Sequence, residues 1–366
     1  MSANNLCLSL TLDYELFGSG QGDVFKHMIE PTNRLLALCE RMGVRLTIFF
    51  EVVEYWRLKE MYESGITMGY RENPATAIEK QIVEAFRQGH DVQLHVHPQW
   101  IDARFENGSW KLNMKYWRLP EVPLVADENI SMGLDQLIGK GQNTMETLLK
   151  PVDPNYQCNI IRAGGYNADP SADLLKVLRK YNFVADSSVV YGAVMDTPLS
   201  RYDYSNVSES IPYWFSNGTS LLETNTESRS VLELPVFALS IRRIAKYDLV
   251  RVRTVLKNRP FARERFKSNS AGMSKWETIQ YFLDREAVTW DYCLFSSGKM
   301  RKFIQKAGQI ATQSDFEFHP FVLVGHPKDF FYSDALHTLI RYSRKYGGEF
   351  MTLSGLVQRI KRDQYK

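Results

Sequence analysis

The sequence predicts an α/β fold wound as a barrel, and three observations predict it. Short apolar runs alternate with amphipathic stretches, the pattern of βα units around a parallel sheet. Several of those runs end in residues with chemistry, as strands do at the C-terminal rim of such a barrel. No internal repeat and no Pro/Gly/Ser-rich linker divides the 366 residues, so they read as one domain, 1–366, with irregular insertions near 104–127 and 202–289.

The elements follow in order. Leu6 to Asp13 is an apolar run ending in acid. Val24 to Met42 has apolar residues at helical spacing, with Gly43 as its cap. Val44 to Phe50 is a second buried strand, Thr76 to Gln88 a helix and Val92 to His97 a third strand. Arg104 to Asp127, with two Trp and two Pro, is an insertion. Asp135 to Lys150, Ser171 to Lys180 and Asp334 to Tyr346 read as helices. Asn159 to Arg162, Phe183 to Asp186, Val231 to Phe237 and Phe321 to Gly325 read as strands. Tyr202 to Glu227 is polar and turn-rich. Ile241 to Thr289 is basic and helix-like.

Composition excludes some classes. Hydrophobic residues at 44% and charged residues at 24% suit a globular chain and not a disordered one. A net charge of +3, evenly spread with no block of five like charges, does not suit nucleic acid binding. Cys7, Cys39, Cys158 and Cys293 show neither CxxC pairing nor metal spacing, so buried free thiols in a reduced compartment are expected. No apolar run reaches a membrane span, and residues 1–10 lack a basic n-region and an apolar h-region. The expectation is a cytoplasmic location.

Three strand ends carry the candidate chemistry. In Thr11-Leu12-Asp13-Tyr14-Glu15, alternation puts both carboxylates on one side of an extended chain. There they repel unless a cation or proton lies between them. In His95-Val96-His97 both imidazoles likewise face one way, a natural start for zinc or a similar divalent ion. His90 reads as a surface or capping residue. In Arg162-Ala163-Gly164-Gly165-Tyr166, a buried Arg needs an anion, and the Gly pair admits a ligand close to the backbone. His326, ending Leu323-Val324-Gly325-His326, suits a general acid or base. Asp186 and Glu233 are weaker strand-end candidates. His27, His319 and His337 have no strand-end context.

Together these segments resemble the polysaccharide deacetylases, the NodB-homology or carbohydrate esterase family 4 proteins, in their cytoplasmic, surface-polysaccharide branch. T-L-D-Y-E looks like the family's T-F-D-D. T-I-F-F (Thr47–Phe50), G-H-D-V-Q-L-H-V-H-P (Gly89–Pro98), R-A-G-G-Y, D-S-S-V and L-V-G-H-P follow in the family's order from Thr11 to His326. Tyr14 separates the two acids here, the His pair is H-x-H, and Gln99 stands where the second His is usual.

The resemblance implies a distorted (β/α)7 barrel of the glycoside hydrolase/deacetylase type. It implies a hydrolase that removes an acyl group, N-acetyl by expectation, from a sugar in polysaccharide or lipopolysaccharide/O-antigen biosynthesis. The sugar would be nucleotide-linked, lipid-linked or an oligosaccharide. Glu15, His95 and His97 would hold a divalent metal, expected to be zinc. Asp13 would be the base, oriented by Arg162, with His326 the acid; Asp13 and Glu15 are interchangeable at this level. Gly165, Tyr166 and Trp100 would meet substrate, with Trp214 a further sugar-stacking candidate. The rivals are a catalytically inactive sugar-binding barrel, an amidohydrolase, or a glycoside hydrolase pairing Asp13 with Glu233 or Asp186.

Overall fold

The computed structural model describes residues 6–225, 230–261, 274–316 and 318–364. Parts of the expected insertion at 202–289 lie outside them. Strand β1 (Leu6–Tyr14) is buried at all nine positions, because a parallel strand is covered on both faces. Its alternation still sorts two sides: Ser9, Thr11 and Asp13 on one, Leu8, Leu10 and Leu12 on the other. The chain continues through α1 (Glu30–Met42), β2 (Leu46–Glu51), α2 (Val52–Glu63), α3 (Pro74–Arg87), β3 (Asp91–Val96), α4 (Leu134–Leu149) and β4 (Ile160–Ala163). Then come α5 (Ala172–Lys180), β5 (Ala185–Asp186), β6 (Trp214–Ser216), β7 (Thr224–Asn225), β8 (Leu232–Glu233), α6 (Leu249–Asn258), α7 (Lys275–Leu283) and α8 (Ser297–Gln313). It closes with β9 (His319–Gly325), α9 (Asp334–Lys345), β10 (Glu349–Phe350) and α10 (Leu353–Gln364).

The main sheet runs β7-β6-β8-β5-β4-β3-β2-β1-β9, with β10 beside β1. From β8 to β9 every pair in that path is parallel; β6 and β7 are the antiparallel edge. The two ends of the parallel path approach each other. Val236, just past β8, bridges Val322 of β9, and Phe237 N–H donates to Val322 O at 2.8 Å. This is a mixed α/β molecule with a curled parallel sheet, consistent with a distorted barrel.

Local chemistry explains the boundaries. Gly43 ends α1 in the left-handed conformation at φ 59°. Asn73 caps α3 by accepting from Ala75 N–H and Thr76 N–H, with Pro74 at the first helical position. All four cysteines are free and buried. Two expectations change. Residues 104–127 contain a short ribbon, Arg104–Glu106 with Ser109–Lys111, followed by single helical turns. Residues 241–289 are not helical throughout: Ala238–Arg242 and Arg285–Thr289 form an antiparallel ribbon, and α6 and α7 sit between its strands. Among the described residues no helix is long and apolar enough to cross a membrane.

Candidate metal centre

The polar side of β1 meets the ends of β3, β4 and β9 at one rim. Register delivers them there: Asp13 pairs with Phe49 of β2, His95 with Arg162, and Leu12 with Gly325, one residue before His326. Asp13, Glu15, His95, His97, Arg162 and His326 therefore converge, as the sequence expects.

Glu15 is the hub. Its Oε2 lies 2.5 Å from His97 Nε2 and 3.4 Å from His95 Nε2. These three buried side chains can each offer one atom to a common ion, the two-His, one-carboxylate donor set of divalent sites. The other ring nitrogens have partners too. His95 Nδ1 donates to Arg162 O at 2.8 Å, which leaves Nε2 with its lone pair. His97 Nδ1 lies 3.0 Å from Gln99 Nε2, while Gln99 Oε1 is buried without a partner. An ion on Nε2 requires the ring proton on Nδ1, so the amide must turn for Oε1 to accept it, giving up the 3.5 Å hydrogen bond from Gln99 Nε2 to Gly18 O. Gly164 makes room for the ring, since a Cβ there would fall 2.5 Å from His97 Nδ1. The residues fit a divalent ion.

Both carboxylates of the centre also have a cation. Arg162, itself fully buried, donates from Nη1 to Asp13 Oδ1 at 2.6 Å and to Thr11 Oγ1 at 2.7 Å. Its Nε and Nη2 donate to Ser187 O and Oγ, and its guanidinium stacks 4.2 Å from the Phe49 ring centre. Burial opposes charge on Asp13, but Arg162, His95 and His326 outweigh it and hold the carboxyl below its ordinary range. Lys328 does the same for Glu15. Its ammonium is buried, donates to Glu15 Oε1 at 2.6 Å and to Leu16 O, and with His97 holds Glu15 well below the ordinary range against burial.

His326 Nε2 faces both acids at 3.7 Å from Asp13 Oδ2 and 3.8 Å from Glu15 Oε1, beyond hydrogen-bond reach. Its Nδ1 is buried without a partner. Burial, and then Lys328, lower its pKa despite the acids.

The remaining expectations fare variously. Gly165 and Tyr166 lie on the rim with left-handed backbone, φ 57° and 64°; for tyrosine that is a strained conformation of the kind found at functional sites. Trp100 is buried and packs edge-on to Trp110, and Trp214 is buried with its Nε1–H on Leu221 O; both are core here. His90 is buried, not at the surface, because its Nδ1 accepts from Leu46 N–H at the start of β2. Asp186 and Glu233 are not at the centre but behind Arg162, in a buried pair.

Lys328 and Trp117 also touch the candidate centre, and the sequence alone leaves both unassigned. Trp117 comes from the 104–127 insertion and stands edge-on to His97 at 5.6 Å. Lys328 sits two residues beyond His326. A lysine there signals nothing until its burial is seen.

No family model matches the chain, and no curated protein matches it. Among solved structures the chain is similar to a protein assigned as a polysaccharide deacetylase from Mycobacterium smegmatis, at 11% identity over 99% of this chain and 92% of that one, TM-score 0.48. It is similar to a GH57-type branching enzyme from Pyrococcus horikoshii, at 12% identity over 98% of this chain and 70% of that one, TM-score 0.44. It is also similar to the catalytic domain of a peptidoglycan N-acetylglucosamine deacetylase from Eubacterium rectale, at 12% identity over 96% of this chain and 90% of that one, TM-score 0.34. At TM-scores below 0.5, none of the three assigns a family or an activity to this chain.

Proposed function

We propose that the chain is a metal-dependent carbohydrate deacetylase on a (β/α)7-type barrel, acting on an acylated sugar of polysaccharide or lipopolysaccharide biosynthesis. The observation that carries this reading is the Glu15–His95–His97 cluster set beside an ionised Asp13 and a neutral His326. Glu15, His95 and His97 would hold the ion, zinc by the chemistry of two imidazoles and a carboxylate. When bound, a divalent ion supplies acidity to a coordinated water and polarises an acyl carbonyl.

The chain's own residues do the rest. Arg162 occupies Asp13 Oδ1 and so leaves Oδ2 as the atom that accepts a proton. Oδ2 and His326 Nε2 are 3.7 Å apart, so one reacting atom set beside them can lie within hydrogen-bond reach of both base and acid. His326, neutral at rest, would take up the proton that Asp13 removes from the water and, its pKa being lowered, give it up readily to the leaving amine. Gly165 and Tyr166 shape the rim on the β4 side, where burial and then the Asp13 carboxylate raise the Tyr166 phenol.

The test is acetate release from N-acetylated sugars by metal-loaded protein. Asp13→Asn should cut turnover by ~10²–10⁴-fold with metal retained. Undiminished turnover in Asp13→Asn, or none in the metal-loaded wild type across soluble and lipid-linked acetyl sugars, would overturn the reading. One observation favours a second reading, a sugar-binding barrel without metal: Lys328 already neutralises Glu15. That reading predicts sugar binding with no bound ion.

A further inference from the structure

The net charge of +3 is not evenly spread, contrary to the expectation from composition: one segment is strongly basic. Between residues 242 and 259 stand seven basic residues against one acid, Asp248, so the remainder of the chain is net negative; Arg243 and Lys246 among the seven pair with Glu286 of the ribbon. The same arm collects apolar side chains in water. Fourteen large hydrophobic residues are exposed among the described residues, and eight of them lie between Ile244 and Leu283. On α6 they are Leu249, Val252 and Leu256; on α7 they are Trp276, Ile279 and Leu283. Both triplets are spaced i, i+3, i+7, one stripe along each helix. Trp276 is 80% exposed and Leu249 74% exposed. Ile244 and Tyr247 lie on the turn between the ribbon and α6, and Tyr247 packs edge-on to Phe282 of α7 at 6.2 Å.

We infer that this arm docks on an anionic lipid surface. Exposed Leu, Ile and Trp stripes flanked by Arg and Lys are the composition of helices that lie in a bilayer interface, with apolar side chains in the acyl boundary and cations at the headgroups. Arg242, Arg253 and Arg259 are exposed for that contact. A second copy fits poorly, because two such arms would bring like charge together. Nucleic acid would satisfy the cations but leave both apolar stripes in water.

The arm is tied to the candidate metal centre. Asn258, the last residue of α6, donates from Nδ2 to Lys328 O at 3.0 Å and to Asp329 Oδ1 at 2.7 Å. Phe261 stacks on Phe17, two residues beyond Glu15, at 5.6 Å. Docking would therefore hold the rim beside the surface, where a lipid-linked acylated sugar presents its head. This placement of substrate rests on the proposed function; the docking does not.

The experiment is co-sedimentation of the full chain with vesicles of phosphatidylcholine alone, or with about one-third phosphatidylglycerol. Binding is expected to the anionic vesicles and to weaken with added salt. Each basic residue near such a surface contributes on the order of five-fold, so Arg253→Glu with Arg259→Glu should weaken binding at least ~25-fold. Leu249→Ser with Trp276→Ser should weaken it comparably, with melting temperature and metal content unchanged. These readouts do not involve hydrolysis, so an inactive enzyme leaves them intact. Wild-type protein that ignores anionic vesicles, or binds neutral ones equally, overturns the inference. So does tighter binding to an RNA oligonucleotide at the same salt, or a dimer that Leu249→Ser with Trp276→Ser dissolves.

Discussion

Asp13 with Glu15, at the end of β1, and Asp186 with Glu233, on the adjacent strands β5 and β8, are two pairs of buried acids in one sheet, and they stand in opposite states. Asp13 and Glu15 each face a buried cation, Arg162 and Lys328, and both are held below the ordinary carboxylate range. Asp186 and Glu233 face each other. Burial and the neighbouring acid push Glu233 well above its ordinary value, so the pair keeps a proton. Glu233 accepts from Val189 N–H, and Asp186 accepts from Ser188 N–H and Oγ–H; this holds the Ser187–Val189 segment on which Arg162 rests. A third pair, Glu51 and Glu54, behaves like the second: burial and then Glu15 raise Glu54 to about 8. Equal burial leaves an ionised carboxylate in one place and a carboxylic acid in another, and the counter-ion decides which.

The sharpest way to break this contrast is to remove a cation. Arg162→Met should destabilise the fold by about 3–5 kcal/mol, since it leaves Asp13 buried and unpaired. Adding Asp13→Asn should recover part of the loss. Denaturant unfolding at neutral pH checks both. Lys328→Met should cost toward the lower end of that same ~3–5 kcal/mol range in metal-free protein, because His97 still faces Glu15. Added zinc should restore much of that stability, because the ion replaces the lost positive charge on Glu15. A Lys328→Met variant as stable as wild type without metal would show that the ammonium does not neutralise Glu15.

Glu233→Gln sharpens the comparison from the other side, with the smallest effect. A raised folded-state pKa means the folded chain binds more protons than the unfolded chain above the ordinary carboxylate range. Stability is therefore full below that range and falls as pH rises toward the folded-state value. Glutamine mimics the protonated acid, so the variant should match wild type near pH 5 and exceed it near pH 9 by on the order of 1 kcal/mol. Glu51 and Glu54 keep titrating, so the slope shrinks without vanishing. Melting temperature across pH is the check; an unchanged slope would contradict a proton held by the pair.

Much of this centre was legible in the sequence because it depends on local alternation. Asp13 with Glu15 and His95 with His97 share faces by i, i+2 spacing, and parallel register brings the strand ends together. Helix α2 is not legible in the same way. It follows β2 with no glycine or proline between, because the Glu51 side chain caps it by accepting from Val53 N–H and Glu54 N–H. The apolar-acidic run F-F-E-V-V-E-Y-W hides that change of period. Lys328 was not legible either, since only a partner far along the chain, Glu15, explains a buried ammonium. The basic character of residues 241–289 was visible, but the ribbon framing α6 and α7 depends on pairing between segments more than forty residues apart.

The central claim, that Glu15, His95 and His97 form a metal centre, is tested most directly by elemental analysis of purified protein beside His95→Ala with His97→Ala. The account predicts about one divalent ion per chain in wild type, and none in the double variant at an unchanged fold. A folded wild type that takes up no ion even after zinc is added would contradict it and leave the metal-free sugar-binding barrel as the reading.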